Sequence, residues 1–184
     1  MKNLFLIITL ILNILGFSQT LKVNNFKLVT YENVSKEVKI LSYTTIDKKG
    51  KLIVFLDDEK SPSYYSYQLT KNEIVELNKL FKKNFQEFIE RKKIDDNEHY
   101  AGSRNFISYT YYKVMEQICF ITPFMNSEFN EIIDLLQNKI YIQEPSAKIS
   151  KFEIDFDSVK NSILIQEKTN NYLPTKELPP PVMR

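Results

Sequence analysis

Residues 70–90 read TKNEIVELNKLFKKNFQEFIE, and the spacing in this stretch decides the fold class. Thr70 and Glu73 match the S/T-x-x-E capping box, in which the threonine oxygen accepts the amide proton three residues on and the glutamate reaches back to the cap amide. Ile74, Leu77, Phe81, Phe85 and Phe88 follow at intervals of three and four, with Leu80 and Ile89 widening the stripe. The pattern predicts an amphipathic helix over 71–91 whose apolar face belongs to a core.

Upstream, residues 38–46 and 52–56 are rich in β-branched and aromatic side chains. Asp47-Lys48-Lys49-Gly50 between them holds the glycine that a hairpin turn uses at positive φ, so the two runs read as a β-hairpin. Residues 26–31 form a short strand candidate ahead of it. Residues 57–63, with Pro62, read as a loop, and 64–69 as a returning strand. Downstream, 94–104 is a polar loop, and 105–113 and 117–121 are strands joined by a turn at 114–116. Pro123 ends that stretch because proline cannot donate to a ladder. Ser127 then caps a helix over 127–139, with Phe129, Ile132, Ile133, Leu136 and Ile140 making its apolar stripe. Residues 151–157 alternate, with Phe152, Ile154 and Phe156 against Glu153, Asp155 and Asp157, as in a half-buried strand with 162–166 as its partner.

The fold class expected is therefore α+β: an antiparallel sheet with two helices on one face. Ser42-Tyr43-Thr44 recurs as Ser108-Tyr109-Thr110, and Leu52-Ile53-Val54-Phe55 is echoed at the same offset by Ile118-Cys119-Phe120-Ile121. Such tandem β-β-α units resemble the TATA-binding-protein-like architecture, a likeness of layout that carries no function.

The flanks divide the chain. Lys2 precedes an apolar run over 4–17, and Gly16-Phe17-Ser18 places small residues where a signal peptidase cuts. The run would span only about 21 Å as a helix at 1.5 Å per residue, short of the bilayer core of roughly 30 Å. We therefore expect a cleaved signal peptide over 1–18, cut between Ser18 and Gln19, and a periplasmic or extracellular protein with no membrane span after cleavage. The Phe17-Ser18-Gln19 ending resembles leaders frequent in Bacteroidota and implies nothing about activity. Residues 19–167 are expected to be one domain. Residues 168–184, with Pro174, Pro179, Pro180 and Pro181, read as a flexible proline-rich tail.

Composition narrows the chemistry. The chain has 25 basic and 23 acidic residues and a net charge of +2, which argues against nucleic acid as a partner. One histidine, one cysteine and three glycines leave too few parts for a Cys/His zinc centre, a disulfide framework or a glycine-rich phosphate loop, and no cofactor is expected. His99 with Glu98 or Asp96 is the single grouping of catalytic residue types, and an envelope hydrolase built on it is the alternative reading. The same loop lacks the glycine that a calcium hand needs, having Tyr100 in its place. Cys119 sits in an apolar run and reads as a buried hydrophobe. Tyr64, Tyr65 and Tyr67 form one tyrosine cluster, and Tyr109, Tyr111 and Tyr112 another. Tyr64, Tyr67, Tyr109 and Tyr111 are the candidate docking residues, because tyrosine joins contact area to a hydrogen-bonding tip. The expected function is an exported, non-catalytic binding domain recognising protein or an envelope component. An inhibitor or immunity-type role is a further alternative.

Overall fold

The computed structural model describes residues 19–34, 37–58, 61–92, 100, 102–169 and 171–174. Within them the strands are β1 (Asn24–Val34), β2 (Glu37–Ile46), β3 (Lys51–Leu56), β4 (Ser63–Gln68), β5 (Arg104–Tyr111), β6 (Val114–Phe120) and β7 (Asn171–Tyr172). The helices are α1 (Lys71–Leu80), α2 (Ser127–Tyr141) and α3 (Phe156–Thr169). All strands join one sheet in the order β4-β3-β2-β1-β5-β6-β7. The first six are antiparallel, and β7 runs parallel to β6. The fold is α+β, as the hydrophobic periods require.

The period of two along each strand splits the core between two faces. Leu28, Leu52, Val54, Ile107, Ile118 and Phe120 lie on the first face, under α1 and α2. Val29, Tyr31, Tyr43, Phe55, Phe106 and Cys119 lie on the second, under α3. The β2–β3 turn is tied to the first face. Asp47 Oδ1 accepts the N–H of Lys49 and of Lys51, and Gly50 takes φ +79°. A Cβ at Gly50 would stand 2.7 Å from Ile74 Cδ1, so glycine serves both the turn and the close approach of α1. Asn78 of α1 bonds the backbone at Thr20 and Lys22, and Leu21 and Val23 are buried beside it.

Several local expectations are corrected. The helix predicted over 71–91 stops at Leu80. Its Thr70–Glu73 capping box is present, but Asn84 opens a new 3₁₀ turn, Phe85–Phe88, through a second capping box with Glu87. A mid-stripe asparagine competes for backbone amides and resets the helix, while Phe81, Phe85 and Phe88 stay buried on one side. The cap of α2 is Asn126 and not Ser127, since the Asn126 side chain accepts the Phe129 N–H. The β5–β6 turn falls at Tyr112–Lys113, with φ of 44° and 69°, and not at 114–116. Two left-handed residues suit the twist of a two-residue hairpin, although neither is a glycine or asparagine.

The largest correction concerns the end of the chain. Residues 151–155 alternate in exposure but join no ladder, and Phe156 begins α3 in place of the expected second strand. Asp155 Oδ1 accepts the Ser158 N–H, a helix-starting contact, and Val159, Ile163 and Gln166 then bury at helical spacing. A third helix thus covers the face opposite α1 and α2. α3 runs to Thr169, and the Tyr172 carbonyl accepts the Ile121 N–H. Residues 1–18 and 175–184 lie outside the described residues.

The tandem β-β-α reading does not survive the topology. β2 and β5 flank β1 and run in the same direction, so superposing β2–β3 on β5–β6 needs a half-turn about the strand axis. That rotation exchanges the faces, which explains why Tyr43 and Tyr109 point to opposite sides. It would also send the two helices to opposite faces, yet α1 and α2 share one and are joined by a Glu73–Lys139 ion pair at 2.9 Å.

Candidate functional site

The site begins where the chain leaves α2. A 3₁₀ turn at Pro145–Ala147 brings Lys148 against the outer edge of β4, where it bridges Tyr65, and the Ile149 N–H donates to the Tyr64 carbonyl at 2.9 Å. The chain then lifts off that edge and crosses the second face as an extended strap over 150–155. No backbone N–H along the strap has an acceptor among the described residues. Backbone amides are obligatory hydrogen-bonding groups, so the strap depends on solvent to satisfy them.

Aromatic rings hold the strap away from the sheet. Phe152 meets Tyr64 edge-on at 5.2 Å, and Phe156 packs on Phe55 at 4.9 Å and on Tyr43 at 6.4 Å. Between strap and sheet lies an open groove of about 710 Å³, lined by Phe55, Pro62, Tyr64 and residues 151–156. That volume falls within the range of ligand pockets, roughly 300–1,000 Å³. A smaller cleft of about 220 Å³ adjoins it past Phe55 and Phe156. Lys39, Asp57 and Lys160 line this cleft, with Lys39 and Asp57 paired at 3.8 Å. Glu153 and Asp155 are exposed along the rim of the groove.

The tyrosines anticipated as a docking row are dispersed. Tyr109 is 3% exposed, its ring packed against Phe81 and Phe85 on the first face, and burial raises its hydroxyl above the usual range. It presents no surface to a partner. Tyr111 is half-buried beside the exposed Tyr112 at the β5–β6 tip. Tyr67 donates to Gln143 Oε1 at 2.8 Å, which commits its hydroxyl to the chain after α2. Tyr64 alone of the four lines the groove. Phe55, Phe152 and Phe156 line it beside Tyr64, and the sequence did not single them out as site residues. The available signal was the alternation of 152, 154 and 156, which marks one half-buried side of an extended segment.

His99, Glu98 and Asp96 lie outside the described residues. Cys119 is buried on the second face, and burial pushes its thiol up to about 12, so it carries its proton at neutral pH. The nearby Tyr31 hydroxyl is raised too, first by burial and then by Cys119 and Glu167. It donates to Glu167 Oε1 at 2.8 Å, and Asn33 Nδ2 reaches the same oxygen at 3.2 Å, which pins α3 to β1. Among the described residues no three His, Cys, Asp or Glu side chains gather into a metal-binding group, and no helix is long and apolar enough to cross a membrane.

Set against known proteins, the chain matches no family model, no curated protein and no solved structure.

Proposed function

We propose that this is an exported binding domain, periplasmic or extracellular, which recognises a protein or an envelope component in the groove between β4 and the strap. The leader-like residues 1–18 support export. The observation that carries the binding role is the strap itself, whose backbone amides have no acceptor among the described residues and lie beside an aromatic-lined groove of ligand size. A segment kept only to bury Phe152 and Phe156 would gain by pairing its backbone with the β4 edge it starts from, because unpaired edges are a hazard that folds usually cover.

Site-specific photo-crosslinking in the native host tests this reading. A photoreactive residue at Lys151, exposed on the groove rim, should capture a defined envelope partner. The same residue at Val75, 38% exposed on the opposite face, should not. Identical products from both positions, or none from Lys151, would remove the groove from the binding role. Export is tested separately by the mass of the host-derived protein, which should begin at Gln19.

A further inference from the structure

We infer that the groove takes an extended peptide segment of a partner protein, added as a strand along the strap over 150–155, with basic and apolar side chains in alternation. The inference rests on the binding role proposed above and assigns it a ligand chemistry.

The backbone is the first argument. Exposure alternates along 151–155 as in an extended chain, and the amides of 150–155 find no acceptor among the described residues; the Ile154 and Asp155 carbonyls already accept from Phe156 and Val159, so the fully free run of backbone is 150–153. A lipid or other apolar occupant would strip water from those amides and offer nothing in return. Another extended chain supplies carbonyls and amides at the matching spacing, which is the way strands add to free edges in peptide recognition.

Side-chain order then sets the sequence of the occupant. Phe152 and Ile154 turn toward the sheet and are half-buried, while Glu153 and Asp155 are exposed on the other side. Residues opposite one another across a strand pair share a face. An added strand therefore sets its apolar residues beside Phe152 and Ile154, over the rings of Phe55 and Tyr64, and its remaining residues beside Glu153 and Asp155. Opposite charge is favoured there, so those residues are lysine or arginine. Lys151, at the start of the groove, is the one base among the strap residues that line it. The chain's own residues 179–181 make a poor occupant, because three consecutive prolines have no N–H for a ladder.

The experiment uses the full chain and three fluorescein-labelled heptapeptides: Lys-Val-Lys-Phe-Lys-Val-Lys, the same with glutamate for lysine, and the same with serine for the apolar residues. Fluorescence anisotropy should show binding of the first and little of the other two. Amide hydrogen exchange at 151–155 should slow in its presence. Glu153→Lys, which turns an opposite-charge cross-strand pair into a like-charge one, should weaken binding about fivefold or more. Glu153→Pro removes one N–H from a segment that makes no ladder, so it should leave the fold intact by circular dichroism and weaken binding by a similar factor.

Equal binding of the acidic peptide, or binding that leaves the strap amides unprotected, overturns the inference. So does indifference to both Glu153 variants. If no peptide binds while Lys151 still crosslinks to a partner, the peptide chemistry is wrong and the binding role stands. If neither occurs, both fall.

Discussion

The two faces of the sheet are built to different standards of closure. On the first, two capped helices lay continuous apolar stripes over the strands, and rings such as Phe129 touch Phe85, Phe88 and Phe120 with no exposure. On the second, one helix and an unpaired strap cover the sheet, and the rings of Phe152 and Phe156 stand between strap and strands with a groove beside them. Two striped helices cover the first face between them. One helix and a lone extended segment cannot fill the same width, so the second face keeps an opening. Stability should concentrate on the first face and recognition on the second.

The contrast is tested most strongly in the core. Phe129→Ala should cost about 3–5 kcal/mol in urea unfolding, because it empties a closed aromatic cluster. Phe152→Ala, half-exposed on the other face, should cost no more than about 1.5 kcal/mol. Equal losses would mean the second face is packed as tightly as the first. Gly50→Ala follows, at about 1–3 kcal/mol, since it combines a left-handed φ with a Cβ driven into Ile74 of α1.

On the second face, Tyr31→Phe removes the hydroxyl that pins Glu167 and should cost about 1–2 kcal/mol. Its amide exchange should quicken in α3 and not in α1 or α2; acceleration in all three helices would show that the faces do not open independently. The smallest effect concerns acid. Burial tends to raise the Glu73 carboxyl, but the Thr70 amide and Lys139 outweigh it and hold the group below its usual value of 4.5. Glu73 thus adds stability that is fully present above that value and is lost as the pH falls through the lower folded one. Glu73→Gln should flatten the acid limb of the stability curve below pH 4.5 and leave the neutral region parallel to wild type.

Much of this arrangement was legible from side-chain spacing alone. The β2–β3 hairpin, the start of α1 and the stripe of α2 follow from local rules: a glycine in a turn, a capping box, a period of three and four. The misses share one cause. At Asn84, at Tyr112–Lys113 and at Asp155 the chain changes conformation inside a run whose apolar pattern continues. Phe152, Ile154 and Phe156 satisfy a period of two, and from Phe156 onward Val159 and Ile163 satisfy a period near four. Phe156 belongs to both patterns, so hydrophobicity gave no boundary there, although the Asp155 and Ser158 pair marked one.

The candidate site was less legible than the fold. Tyr64 and Tyr109 are equivalent by composition and local context, yet one lines a groove and the other is sealed against Phe81 and Phe85. A side chain's face depends on which strand lies beside it and in what register, and one residue of shift exchanges every face.

The amino-acid sequence by itself determined the near-neutral charge, by composition, and the α+β class and the places where the backbone must turn or cap, because those depend on interactions within about one turn of chain. The tertiary structure decided that β1 lies at the centre, that α3 covers the second face, and that the strap leaves β4 with its amides unpaired among the described residues. Those outcomes depend on contacts between residues far apart in the chain, where the competition is between whole packings of the sheet and not between local conformations.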